Sequence, residues 1–280
     1  MRRLAKPTRD AKSVYELCIS KVKKVTLKTS LTAISPIVQA EASSYEINAT
    51  AASLHTMATF ANIGGLSNKE FNKVYTGRMA NPKAPGRAIY DEIFISSKIC
   101  PLCGHGKVTT VDHHLPKAHY PALTVTPINL VPACSDCNKL KDDVVSTAAS
   151  RQTIHPYYDN FDSEQWLFAD VNQVDQIFDF HVRKPASWNQ TKFLRAKFHL
   201  KTFELAILFS LNAIEEINDR LLTLEKILAA GGAQSVKDDF LDTAESCKAN
   251  HLNSWKTAMY QALANSQWSC AGGFRDLAAG

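Results

Sequence analysis

The 280-residue chain lacks any apolar run long enough to cross a bilayer; its longest, Leu205 to Leu211, is interrupted by Ser210. Behind the basic start MRRLAKPTRDAK there is no apolar h-region, so no secretory signal is visible and a cytoplasmic location is expected. Eleven Gly and eleven Pro are too few for collagen-like or Pro-rich character, and neither internal repeats nor low-complexity segments occur. With 45% hydrophobic, 21% charged and 9% aromatic residues, the composition excludes a largely disordered chain and allows one large domain or two modest ones.

Charge is unevenly placed. Residues 1–30 hold nine Lys/Arg and two Asp/Glu, a net of +7 against +5 for the whole chain. A basic arm on a near-neutral body points to an anionic partner, nucleic acid above all, and deleting residues 1–30 should then flatten the salt dependence of binding.

Of seven cysteines, four form two pairs, Cys100-Pro-Leu-Cys103 and Cys134-Ser-Asp-Cys137, with thirty residues between them. This spacing suits one tetrahedral zinc site better than a disulfide framework. Four cysteines complete the set, so His105 is not needed as a ligand. Cys18 lies on an apolar helical face, and Cys247 and Cys270 lack ligand-like partners at a useful spacing.

The first ninety residues read as helical. Thr8 or Asp10 can cap a helix whose apolar face is Val14, Leu17, Cys18, Val22 and Val25. Leu31 to Phe60 continues the helical content to Gly64-Gly65, Ser67 to Glu70 offers a capping box, and Arg87 to Ser97 is a further helix. From Cys100 the helical period disappears. The order becomes knuckle, strand (Lys107 to His113), loop, strand (Asn129 to Ala133) and a short helix from Cys134. Two more strands follow, Gln165 to Val171 and Ile177 to Val182. Trp188 to Ala230 reads as one helix or two, with Ile207, Leu211, Ile214, Ile217, Leu221, Leu224 and Leu228 as core or an oligomer seam. Gly231-Gly232 stops it, Val236 to Tyr260 is helical, and the tail carries exposed-looking aromatics.

The informative string is Asp112-His113-His114-Leu115-Pro116-Lys117, then Asn129-Leu130, then Cys137-Asn138-x-x-Lys141. Asp112 is a hard oxygen ligand and Asn138 supplies a carbonyl oxygen, a pair that suits Mg²⁺. His113 is a base at neutral pH. Asn129 can fix the loop and the ring. Lys141 shares a helix face with Asn138 and can meet a phosphate oxygen or the leaving group. Asp112 and His113 point to opposite faces of a regular strand, so they converge only if the strand ends or bends.

This constellation resembles the HNH endonucleases of the ββα-metal fold, in their zinc-bearing CxxC…CxxC branch, across residues 100–141. The resemblance implies a mainly α fold with a small central ββα-metal module stapled by the four-cysteine zinc site. It implies Asp112 and Asn138 as ligands of a catalytic Mg²⁺ or Mn²⁺, and His113 as general base. It further implies Asn129 as the residue orienting it, with Cys100, Cys103, Cys134 and Cys137 on structural Zn²⁺. His114, His119 and His155 are accessory candidates. Beyond the motif, HPYYD, the LFADV…FDFHV stretch and NSWKTAMYQALANSQWSC resemble the PtuB-type nucleases of Septu anti-phage systems, some of them retron-linked.

The regions expected are 1–95 (helical, binding partner or nucleic acid), 96–160 (HNH module) and 161–280 (two short strands, then helices). The function expected is hydrolysis of nucleic-acid phosphodiesters, DNA first because a water nucleophile needs no 2′-hydroxyl. Structured RNA such as tRNA is the alternative substrate, and a non-catalytic zinc-bearing adaptor the alternative class. The partners expected are a nucleic acid and a PtuA-like ABC-type ATPase, with a retron reverse transcriptase and its RNA/DNA as a further one, and no membrane.

Overall fold

The computed structural model describes residues 1–279, and contacts divide them into two compact units, Met1–Asn160 and Phe161 onward. The protein is mainly helical, with three two-stranded antiparallel sheets. No helix among the described residues is long and apolar enough to cross a membrane.

The first unit begins with α1 (Ala11–Ile19), α2 (Val25–Ala33) and α3 (Ser35–Thr50). Asp10 caps α1 by accepting from the Ser13 amide at 2.8 Å. The buried face of α1 is Val14, Tyr15, Cys18 and Ile19, while Leu17 and Val25 face outward. The helix ends at Ile19, and so the expected apolar line through Leu17 and Val25 never forms. Pro36 sits in the first turn of α3, where its missing N–H costs no hydrogen bond. Gly64-Gly65 does not end a helix. With φ of 56° and 78° the pair makes the tight turn between β1 (Asn62–Ile63) and β2 (Leu66–Ser67). The Ser67–Glu70 capping box then starts α4 (Asn68–Tyr75), and α5 (Arg87–Ile95) follows.

The antiparallel pair β3 (Thr110–His113) and β4 (Leu130–Ala133) leads into α6 (Ser135–Lys141). Val111 and Leu130 of these strands lie in the same apolar core as Val14, Val38, Phe71 and Ile89. The segments read separately as 1–95 and 96–160 thus share one core. Of the basic groups in residues 1–30, Lys6 pairs with Glu46, Arg9 with Glu92 and Lys12 with Glu16. Lys21, Lys23, Lys24 and Lys28, around the α1–α2 turn, are exposed and make no ion pair among the described residues. Ala11, Val14, Tyr15, Cys18, Ile19 and Val22 belong to that shared core, so deleting residues 1–30 would disrupt packing as well as charge.

The second unit starts with the hairpin β5 (Leu167–Asn172) and β6 (Ile177–Val182), whose buried face carries Phe178 and Phe180. It continues through α7 (Gln190–Thr202), α8 (Leu205–Asn250), α9 (Trp255–Asn265) and α10 (Phe274–Ala279). Gly232, at φ 67° and ψ −166°, breaks α8. An unbroken helix would hold Arg220 and Asp239 about 28 Å apart. Their ion pair at 2.7 Å shows that the chain doubles back on itself. This hairpin chooses the buried face: Leu205, Phe209, Ala213, Ile217 and Leu224 are inside, whereas Ile207 and Leu211 are each 63% exposed. The tail also differs from expectation, because Phe274 and Leu277 are fully buried.

One buried amide closes this unit. Asn253 Oδ1 accepts from the Trp166 and Leu167 amides at 2.8 and 3.2 Å, and its Nδ2 donates to the Phe161 and Glu164 carbonyls at 3.2 and 2.9 Å. Asn253→Leu removes this partner from the Trp166 and Leu167 amides and the Glu164 carbonyl, while the Phe161 carbonyl keeps the Trp166 indole N–H, and it is expected to cost about 3 kcal/mol. Asn253→Asp keeps the acceptor and loses both donors, so its loss should be smaller. Urea denaturation of the three proteins checks the order.

Candidate functional site

The four-cysteine cluster is assembled from two turns. Preceding β3, a bridge between Ile99 and Lys107 closes the loop holding Cys100 and Cys103. Within it the Gly104 amide donates to the Cys100 carbonyl at 2.8 Å and the Cys100 amide to the Gly106 carbonyl at 2.7 Å. Gly104 has φ 70°, and a Cβ at Gly106 would lie 3.1 Å from the Cys134 sulfur, so both positions suit glycine. The second pair begins α6, directly after β4. The ligand atoms of Cys100, Cys103, Cys134 and Cys137 all lie within 4.8 Å of one another, and all four residues are buried. Zn–S bonds of about 2.3 Å in a tetrahedron set sulfurs roughly 3.8 Å apart. The donor set therefore fits a zinc ion closed to solvent. Amides of Gly106 and Cys137 point at the Cys103 and Cys134 sulfurs at 3.2 and 3.5 Å.

This cluster fixes α6 against the β3–β4 pair and so brings Asn138 and Lys141 to Asp112 and His113. All four line one cavity of about 370 Å³, together with Lys117, Lys139, Asp142 and Asp143. Asp112 and His113 are successive strand residues, yet both reach it. The strand ends at His113, and the Asp112 carboxylate folds back to accept the His113 amide at 2.6 Å. Burial pushes the Asp112 carboxyl above its usual range. The Lys141 ammonium, 3.3 Å from Asp112 Oδ2, opposes that shift. Lys141 also reaches the Asp142 carbonyl at 3.4 Å, so it is bound to the carboxylate and the helix end. Asp142 itself has φ 50°, an uncommon conformation for a non-glycine residue, at the lip of the cavity.

The imidazole of His113 is fixed by backbone. Its Nε2 lies 2.8 Å from the Thr124 carbonyl. A carbonyl only accepts, so Nε2 carries the hydrogen and Nδ1 keeps its lone pair. Burial pushes the His113 pKa down to about 3, and the Lys117 and Lys141 ammonium groups add to the effect. The ring is therefore neutral, and a pKa this low makes it a weak base unless an anion entering the cavity raises it. Tyr75, from α4, stands edge-on against it, with centroids 4.5 Å apart and planes at 68°.

The other sequence candidates lie elsewhere. Asn129 is fully buried. Its Oδ1 accepts from the Leu115 amide at 2.8 Å, and its Nδ2 donates to the Leu115 and Leu123 carbonyls at 3.1 and 3.3 Å. It ties the exit of β3 to the turn before Thr124 and so holds the ring's acceptor in place. His155 is buried, accepts from the Tyr157 amide at Nδ1 (3.1 Å) and meets the Tyr45 hydroxyl at Nε2 (2.7 Å). The His114 ring packs on His155 at 4.1 Å, so this pair buttresses the strand end behind the cavity. His119, half-buried, does not line the cavity; its carbonyl accepts from the Phe60 amide at 3.0 Å. Sequence reasoning gave no role to Lys117, Tyr75 or Thr124. Thr124 acts through its carbonyl, which leaves no trace in residue identity, and Tyr75 looks like any apolar-face aromatic.

Protein Ea31 of Escherichia phage lambda is 30% identical over 290 aligned positions, spanning 95% of this chain and 98% of that protein. The chain belongs to the Ea31 family. No protein family model and no solved structure matches it. Likeness to Ea31 thus extends well beyond residues 100–141 and takes in both compact units.

Cys134→Ser is expected to lower the zinc content of purified protein well below one ion per chain, since three thiolates leave the tetrahedron open. Metal analysis checks this, and Co²⁺ substitution should give thiolate charge-transfer absorption in wild type that the variant loses.

Proposed function

We propose that the chain is an HNH-type endonuclease that hydrolyses nucleic-acid phosphodiester bonds, with DNA the primary substrate. The observation that carries this is the convergence of Asp112, His113 and Asn138 on one cavity, with His113 held neutral as its Nε2–H tautomer. The order of β3, β4 and α6, with sulfur ligands before the first strand and at the start of the helix, supports reading residues 96–160 as a ββα-metal module.

Asp112 and Asn138 present hard oxygen donors to the cavity, and a divalent cation held there would share the Asp112 carboxylate with Lys141 or displace it. Held there, Mg²⁺ or Mn²⁺ would supply positive charge to the phosphate and the departing oxygen. His113 Nδ1 takes a proton from water as the water oxygen bonds to phosphorus and the P–O3′ bond breaks. The 3′-oxygen leaves with a proton from solvent. Thr124 and Asn129 keep the imidazole in this tautomer and orientation. Lys141 keeps Asp112 ionised in its buried setting.

A nuclease of this kind, unrestrained, damages its own cell. The PtuB-like features outside the motif support a place as effector in antiviral defence, with a PtuA-like ABC-type ATPase, in some settings retron-linked, restraining or triggering it.

The test is cleavage of plasmid DNA and of total RNA with Mg²⁺ or Mn²⁺. His113→Ala is expected to lower the rate at least about 100-fold at unchanged zinc content. Equal cutting by both proteins removes His113 as the base. Nucleic-acid binding that is indifferent to Mg²⁺, without product, makes the chain an adaptor instead.

A further inference from the structure

We infer that Lys117 is the group that grips the scissile phosphate, and that Tyr75 is the positioning residue that holds it there. This rests on the nuclease reading of the same cavity and names a phosphate contact which that reading leaves open.

Three lysines line the cavity, and they are not equivalent. Lys141 is committed to Asp112 and to the end of α6. Lys139 is exposed on α6. Lys117 is half-buried and makes no ion pair among the described residues. Its ammonium instead lies 5.9 Å from the centre of the Tyr75 ring. A π-face attracts a cation but does not neutralise it. The cavity also holds the Asp112, Asp142 and Asp143 carboxylates, and Lys117 lowers the Asp112 pKa from a distance, but no carboxylate among the described residues is ion-paired with Lys117, so this partly desolvated ammonium can still meet an anion entering the cavity. The non-bridging oxygens of a phosphodiester are such an anion.

Tyr75 gives this arrangement its rigidity. The residue is buried, and its hydroxyl donates to the Val111 carbonyl on β3 at 2.8 Å. The same ring stands edge-on to His113 on one side and beneath Lys117 on another. One fixed aromatic plane thereby sets the spacing between the group that takes the water's proton and the group that holds the phosphate. Reactions of this kind are sensitive to such spacing, because small misplacements of the reacting atoms cost orders of magnitude in rate.

The experiment measures binding and cutting separately. Binding of a short fluorescein-labelled DNA duplex, and of an RNA hairpin of matched sequence, is followed by anisotropy in buffer without Mg²⁺, Mn²⁺ or chelator across a range of NaCl. Plasmid cleavage is followed with Mn²⁺. Lys117→Met is expected to reduce the slope of log affinity against log salt by about one, the signature of one lost phosphate contact. It should also raise the KM for cleavage about tenfold. Lys117→Arg should keep the slope. Tyr75→Leu should reproduce the loss of affinity at normal zinc content, and Tyr75→Phe, which keeps the ring, should restore most of it. An unchanged slope and KM in Lys117→Met overturns the phosphate role, and wild-type affinity in Tyr75→Leu overturns the positioning role. If wild type binds and does not cut while the slope falls in Lys117→Met, the contact stands and hydrolysis alone is lost. If wild type binds neither probe, both readings fall.

Discussion

Four buried thiols within 4.8 Å of one another join two stretches of chain that thirty residues separate, the loop before β3 and the start of α6. α6 is seven residues long and buries only Cys137 and Lys141. Tied to the loop, the helix is set at one angle to the strands. Because Asn138 follows Cys137 directly and Lys141 lies one turn further, that angle also places their side chains opposite Asp112 and His113. A zinc ion held by these thiols would make metal binding and site geometry one event, as in small folds whose ligand shell supplies much of the folding free energy.

A second layer of support is made of backbone carbonyls and buried amides. Thr124 gives His113 its acceptor. Asn129 ties down the loop that carries Thr124. Tyr75 fastens α4 to β3 through the Val111 carbonyl. His155, between Tyr45 and His114, fills the space behind the strand end. None of these groups needs to meet substrate, yet each limits how the imidazole and the carboxylate can move.

Much of this was legible in sequence wherever the signal was local. The CxxC pairs, the Asp112–His113 step and the three-residue spacing of Asn138 and Lys141 each follow from ligand spacing or from one helical turn. So do the capping box at Ser67 and the order of strands and helix from residue 107 to 141. What stayed hidden was decided by distant partners. The buried face of α8 turned because the chain doubles back at Gly232 and packs Ile217 and Leu224 inward, leaving Ile207 and Leu211 outside. Gly64-Gly65 reads equally well as a helix stop or a strand turn, and only the pairing of Ile63 with Leu66 distinguishes them. Tyr75 entered the site from a helix with no chemical motif.

Asn253 closes a loop reaching back to Phe161, and all of α8 lies inside it. Closure entropy rises only with the logarithm of loop length, about 0.6 kcal/mol for each doubling. The tip at Gly231-Gly232 can therefore gain or lose whole helical turns at little thermodynamic cost, provided the two arms stay matched beyond the Arg220–Asp239 pair. Length variation among Ea31 relatives should gather at that tip, while the spacing from Cys100 to Lys141 stays constant. Evolution has room to reshape the far end of the second unit without disturbing the amide that closes it.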